Sequence, residues 1–453
     1  MSRIQPGAAL IVLLLSLAAG VPDATAQTMK RISGRDTPAH QAALRFMRGV
    51  GMGNYLEYPV GHPARTQTYS AGDFSLARAE GFDHVRVPVA WHLYVGPSPT
   101  FTLATSIFTS VDSMVNAALK EGLGVLVDLH SFDQFMSDPE GNQGKFYAIW
   151  RQVAAHYANA PSTVAFELLN EPNGAATTVL LNQVYPEAIR QIRLTNPDRT
   201  IFLGPGQWNG MDELKIESTS SLILPDAETN LITVVHCYDP YYFTHQGAEW
   251  ALPDTATTGV LFPGPPPAPL PPDSSITHSW VIDWFNLYNT RSTDLNPSST
   301  YAFRTRLQAV RAWADYYGRP VHVGEFGCYD KADPQSRLNF HRAIRMLMDQ
   351  QGLGWTLWDW KAGFHYIKAG QPDPPGLRDA LFPSPVLRNQ SNGAIQWEGA
   401  LGKVYTVEQA ASLTPPILWN TVSTQTLVSP QLLSYQPQSG PETPAFFRVR
   451  WVK

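Results

Sequence analysis

Two short stretches carry three glutamates whose spacing invites chemistry. "FELLNEPNG" (166–174) holds Glu167 and Glu171, four residues apart, and "GEFG" (324–327) holds Glu325. Two carboxyl groups held close together resist ionising at once, so one stays protonated and the pair can divide proton donation from nucleophilic attack. Other residues fall within or late in short apolar runs: Arg86 within HVRVPV, His130 ending GVLVDLH, Asn170 ending VAFELLN, His236 and Tyr238 late in LITVVHCY, and Trp358 late in GWTLWDW. One His or Arg at such a place is commonly a satisfied structural group. Eight such residues on one predicted rim point instead to a site, because burying charge there is costly without a purpose.

Rival chemistries fit less well. A barrel metal centre wants a His-x-His pair; His130 stands alone, and the His236/Tyr238 pair offers one nitrogen. His322 and Glu325 are three apart on one strand, and odd offsets place side chains on opposite faces. No Gly-x-Ser-x-Gly elbow exists for a serine nucleophile. Paired glutamates beside an aromatic platform fit glycoside hydrolysis, with no metal and no cofactor.

The elements that must position these residues follow a rhythm from about residue 45 to 360. Apolar, β-branched or aromatic runs at 45–53, 84–89, 124–130, 164–170, 200–205, 231–238, 320–327 and 354–360 read as strands. They are nearly continuously apolar, as strands covered on both faces are. Between them lie helical stripes, such as Leu181, Val184, Ala188 and Ile192, or Phe303, Leu307, Val310, Ala314 and Tyr317. Strand–helix alternation with eight strands predicts an α/β fold, a (β/α)8 TIM barrel, in which the C-terminal strand ends converge on one rim. An open doubly wound sheet would want a Gly-rich nucleotide loop after its first strand, and Gly49, Gly51 and Gly53 lack that spacing. Glu167 shares the strand parity of Glu171 one layer deeper, so it is expected in the barrel interior with a partner still to be found.

At these residues the chain resembles glycoside hydrolase family 5, the cellulase-like family of the paired-glutamate barrel glycosidases. The resemblance runs from about Arg48 to Trp360 through RGVGMGNYLE, RVPVAW, DLH, LLNEP, HCYDPYYFTHQGAEW, GEFG and WTLWDW. It implies Glu171 as general acid/base and Glu325 as nucleophile, with Asn170 on the sugar 2-hydroxyl. Arg86 and Tyr238 would hold the carboxylate of Glu325. His130 and His236 would contact substrate or orient the glutamates, and Trp358 would lie under the sugar. With Arg86 beside Glu325, Glu171 is the one left holding the proton. One departure is Gly51, where many members carry Asn. The implied activity is a retaining β-glycoside hydrolase, an endo-β-1,4-glucanase by the likeness of "THQGAEW" to glucan-active members. β-Mannanase or another β-glucan hydrolase is the alternative within the family, and a silent carbohydrate-binding protein would need a broken glutamate pair.

The rest of the chain sets the context. Arg3, the apolar stretch 8–19 and Ala24-Thr25-Ala26 read as a signal peptide over 1–26, so the mature protein is expected in the periplasm or outside the cell, with no membrane segment after cleavage. The barrel is assigned to 27–384 and a small β-rich extension packed on it to 385–453. The proline-rich 262–272 lies inside a long excursion, about 239–298, whose Trp250, Trp280 and Trp284 either wall a cleft or pin the loop. Net charge is −5 with no long basic run, which excludes a nucleic-acid partner and leaves a β-linked poly- or oligosaccharide. Two cysteines, Cys237 and Cys328, allow one bridge or two buried thiols. The protein is expected to act as a monomer.

Overall fold

In a computed structural model of the chain, the described residues are 29–383 except 33 and 35, then 387–389, 394–398, 404–414, 417–427, 432–437 and 446–451. The expected signal peptide, 1–26, lies outside them. Eight parallel strands close into a barrel in sequence order: β1 (Arg48–Gly51), β2 (His84–Val89), β3 (Gly124–Leu129), β4 (Val164–Glu167), β5 (Ile201–Leu203), β6 (Leu231–His236), β7 (Val321–Phe326) and β8 (Gly354–Leu357). Each expected apolar run contains one strand, and most strands stop before the run does. Beyond the strand ends, backbone hydrogen bonds to the neighbouring strand still tie down His130, Asn170 and Trp358, which hold their side chains at the rim.

The two faces of each strand have different work. Outward residues such as Val85, Val87, Val125, Val127 and Phe166 join Leu181, Val184, Ile192, Leu307 and Val310 of the surrounding helices in one buried cluster. Full burial of a side chain of that size contributes roughly 1.5–3 kcal/mol. Inward residues fill the barrel. Leu126, Ala165, Phe202, Ile232 and Val234 pack with Phe46, and the short helix Pro38–Ala43 closes the bottom through Ala39 and Ala42. Above that floor the hydroxyl of Thr356 links two inward histidines, 3.0 Å from His84 Nε2 and 2.9 Å from His322 Nε2.

Strand β7 departs from simple alternation. Its register against β6 shifts between the Val235/Val323 and His236/Glu325 pairs, a bulge at Gly324. The extra residue reverses the parity, so His322 below and Glu325 above both face the interior. The expectation that an odd offset separates them therefore fails. Glycine is required at the bulge: a Cβ on residue 324 would lie 2.6 Å from Val234 Cγ1 and 3.0 Å from His236 Nε2.

The long excursion before β7 is ordered around a helix, Ser279–Thr290. Trp284 stacks on Tyr288 within it and pins it. Trp250 is largely exposed but packs edge-on against His245 and Tyr329 near the rim. Trp280 is exposed and stacks on His278. Beyond the barrel, the described residues form two three-stranded antiparallel sheets, 387–389 with 395–398 and 432–435, and 404–410 with 420–426 and 446–451. Their Trp397, Tyr405, Val407 and Leu433 share a buried cluster with Met47, next to the N-terminal end of β1 and so at the opposite end of the barrel from the rim. Cys237 and Cys328 are free, buried thiols.

The lower interior is tight at β1, where a Cβ on Gly49 would sit 2.1 Å from His84 Nε2. Gly49→Ala is expected to lower stability by about 1–3 kcal/mol through overpacking. Urea unfolding followed by far-UV circular dichroism measures it, and an unchanged midpoint would contradict this packing.

Candidate active site

The rim is organised around Arg86. Its side chain, inward on β2, is fully buried and meets carboxylates from three other strands: Asp128 at 2.7 Å, Glu167 at 2.8 Å and Glu325 at 2.7 Å. Nε and Nη2 form a fork on the two oxygens of Glu167, Nη1 donates to Glu325 Oε1, and Nη2 also donates to Asn170 Oδ1 at 2.7 Å. Such a charge is costly to bury alone and is tolerated here because its donors are taken up by carboxylates. Glu167, expected in the interior without an identified partner, is thus a structural counter-charge to Arg86.

Glu325 is fixed from both sides, since the hydroxyl of Tyr238 donates to its other oxygen at 2.8 Å. Glu171 sits beyond the end of β4 and reaches the site by a backbone turn. Its φ is +47°, in the left-handed region that costs a non-glycine residue on the order of 1 kcal/mol. Its side chain is 28% exposed, and Oε1 lies 2.9 Å from His236 Nδ1. That nitrogen is also 3.7 Å from Glu325 Oε2. One oxygen from each glutamate and one nitrogen of His236 all lie within 4.8 Å of one another. Among the described residues this trio has metal-ligand spacing, so a cation there would have to occupy the carboxyl pair itself.

Protonation follows environment. Burial raises Glu171 above the usual carboxylate range, while His130 and Arg86 pull it back. The sequence-based expectation attributed its proton to repulsion by Glu325; in the structure burial leads. Burial also pushes His236 down to about 4, so its ring is neutral. For His130 burial disfavours the imidazolium, but the charge and hydrogen bond of Asp128 outweigh it and raise the ring to about 9. Burial pushes Glu167 up, with Asp128 and Glu325 adding to the rise, and the charge and fork of Arg86 pull it back down.

Trp358 follows β8 and stacks parallel to His130, ring centroids 5.8 Å apart. Its ring lies against Gly51 and Gly53, where a Cβ would come within 2.9 Å and 2.7 Å of it. The glycine at 51, where the resembling family commonly carries Asn, therefore makes room for the Trp358 ring. All eight residues singled out in the sequence converge on this rim. Two further residues belong to it. Asp128 shares strand parity with His130, a signal that could have found it. Asn209 is buried with Nδ2 3.2 Å from His236 Nε2, and it arrives through a turn with no sequence period.

Residues 59–363 match the family described as cellulase (glycosyl hydrolase family 5), well over half of the chain. The chain belongs to glycosyl hydrolase family 5. Its family relatives include endoglucanase 3 of Fibrobacter succinogenes, 28% identical over 362 residues that make up 74% of this chain and 52% of that protein. Endoglucanase H of Acetivibrio thermocellus is 26% identical over 314 residues, 69% of this chain and 29% of that protein. The chain thus spans about half the length of the first relative and under a third of the second. The solved structure of endoglucanase Cel5A from Thermotoga maritima superposes with a TM-score of 0.64 at 28% identity, covering 76% of this chain and 100% of that one. The same Cel5A has been solved with cellobiose and with mannotriose.

The raised folded-state value of His130 gives a pH dependence with a definite sign. A histidine raised from 6.5 to about 9 contributes stability that is fully present below about pH 6.5 and is lost as pH climbs through 9. His130→Gln is expected to flatten the decline in stability between about pH 6.5 and 9, as read from urea midpoints across that range. An equally steep decline in the variant would show that His130 is not the titrating group.

Proposed function

We propose that the chain is a retaining β-glycoside hydrolase, an endo-β-1,4-glucanase working by double displacement at Glu171 and Glu325. The observation that carries this reading is the close carboxyl pair, with oxygens within 4.8 Å of each other on a rim beside the Trp358 platform. Retaining glycosidases hold their carboxyl groups ~5–5.5 Å apart, too close for a water between substrate and base. Family membership and the endoglucanase names of the relatives support a β-glucan as substrate.

The roles follow from the contacts. Arg86 and Tyr238 each hold one oxygen of Glu325, which aims the carboxylate as a nucleophile. Glu171, raised by burial and facing the open cleft, carries the proton. In the first step Glu325 attacks the anomeric carbon, the glycosidic C–O bond breaks, and the proton of Glu171 passes to the departing oxygen. The product is a glycosyl ester on Glu325. In the second step the ionised Glu171 takes a proton from water, whose oxygen displaces Glu325 from the anomeric carbon and restores both residues. Asn170, held by Arg86 at 2.7 Å, is placed for the sugar 2-hydroxyl, and His130 supports the Trp358 ring. Residues 1–26 would direct export, which suits a polymer too large to enter a cell, and the enzyme would act as a monomer.

Glu171→Ala is expected to lose about 10²–10⁴-fold in kcat on unactivated glucans. Glu325→Ala is expected to lose essentially all turnover. Azide separates the roles, giving a β-glycosyl azide with Glu171→Ala and an α-glycosyl azide with Glu325→Ala. Near-normal hydrolysis by purified Glu325→Ala would end this reading. Reducing-sugar release from carboxymethylcellulose, mixed-linkage glucan, mannan and xylan, with product sizes, tests the substrate and the endo mode. Faster release from mannan than from the glucans would favour the mannanase alternative.

Activity is expected to survive exhaustive treatment with EDTA. Loss that returns on adding a divalent ion would place a metal on the Glu171–His236–Glu325 trio instead.

A further inference from the structure

Asn209 touches neither glutamate directly, yet the fold goes to some length to deliver it. After β5 the chain enters a left-handed turn in which Gln207, Trp208 and Asn209 have φ of 55°, 56° and 55°. Three consecutive non-glycine residues in that region are unfavourable, and asparagine is among the few types that tolerate it. The turn buries Asn209 completely and sets its Nδ2 3.2 Å from His236 Nε2. Gly204 clears the space, since a Cβ there would lie 2.3 Å from Asn209 Oδ1. That Oδ1 finds no hydrogen-bond partner among the described residues, so only the donor end of the amide is engaged.

We propose that Asn209 is a positioning residue which sets the tautomer of His236 and thereby directs the proton of Glu171 to the oxygen that faces the substrate. The inference rests on Glu171 being the general acid. An amide N–H pointing at Nε2 needs a lone pair there, so the ring proton of neutral His236 resides on Nδ1. Nδ1–H then donates to Glu171 Oε1 at 2.9 Å. An oxygen that accepts this bond acts as the carbonyl end of the carboxylic acid, and the acidic proton is left on Oε2. With the opposite tautomer, Nδ1 would offer a lone pair, and the Glu171 proton would be drawn to Oε1 and held on the imidazole, away from the leaving group. His236 is neutral in the folded protein, so it has one ring proton to place.

Asn209→Asp tests this, because a carboxylate keeps the size and left-handed tolerance of Asn but can only accept from Nε2–H. The readouts are kcat/KM on cellotetraose, whose leaving group needs a proton, and on 2,4-dinitrophenyl β-cellobioside, whose leaving group does not. Asn209→Asp is expected to lose at least ten-fold on cellotetraose and less than three-fold on the aryl glycoside. Gly204→Ala, which pushes the amide off the ring, is expected to show the same split. Nitrogen-15 shifts of labelled His236 should show Nδ1 protonated in the unmodified enzyme, and in Asn209→Asp Nε2 protonated with Nδ1 bare; a ring protonated at both nitrogens keeps the bond to Glu171, and a loss on cellotetraose in that state would overturn the inference. Equal losses on both substrates, or a His236 protonated at Nε2 before any substitution, would overturn the inference. Glu171→Gln run alongside separates the two failures. If it spares the aryl glycoside while Asn209→Asp does not, only the role of Asn209 falls; if it does not spare it, the acid assignment itself falls.

Discussion

A single buried guanidinium holds the rim together. Arg86 is surrounded by Asp128, Glu167 and Glu325, so β2, β3, β4 and β7 meet at one charge. Removing an ion from water costs several kcal/mol even after relaxation, and the cost is recovered only when geometry and hydrogen bonding are good. The fork on Glu167 supplies that geometry. It occupies two of the donors with a carboxylate that sits below the cleft, which leaves Nη1 to orient Glu325 and Nη2 to orient Asn170. The deeper glutamate of "FELLNEPNG" thus serves the shallower site indirectly, by holding the arginine that aims Glu325, the proposed nucleophile.

Regular barrel geometry alone does not aim these side chains. The bulge at Gly324 turns Glu325 inward, a left-handed residue turns Glu171 over the rim, and a left-handed triplet brings Asn209 under His236. The left-handed residues each cost on the order of 1–3 kcal/mol and persist only where the surroundings over-determine them, and the bulge holds where glycine leaves room for it. The surroundings here are the continuous apolar cluster between strands and helices and the packed floor around Phe46. The rigid lower barrel and the irregular upper rim are therefore two halves of one arrangement, with strain concentrated where side chains must converge.

That division also explains what the sequence made legible. The eight strands could be read because a parallel barrel strand is buried on both faces and so is written in β-branched and aromatic residues, as in HVRVPV and GVLVDLH. The rim residues could be read because polar side chains at the ends of such runs are conspicuous. Reading by strict alternation went wrong where alternation is broken: it set His322 and Glu325 on opposite faces, and the bulge put both inside. Asp128 was within reach, two residues before His130 on the same face. Asn209 was not, since "GPGQWNG" has neither the period of a strand nor that of a helix. Gly51 was visible only as a missing asparagine, and its role as space for Trp358 needed coordinates.

The same network bears on how one site can act as acid and then as base. In the proposed double displacement, forming the ester removes the negative charge of Glu325 while the proton leaves Glu171. The carboxylate charge near Arg86 and His236 is therefore moved across the rim rather than changed in total. Glu167 is the fixed part of this exchange. Both its oxygens accept from Arg86, so the guanidinium keeps a partner from below when the proposed ester removes the charge of Glu325 from its side. A hydrophobic residue at 167 would leave Arg86, at that stage, with Asp128 as its remaining carboxylate partner. The carboxyl group buried beneath the cleft, which at first sight only adds cost, thus compensates the arginine throughout the proposed reaction.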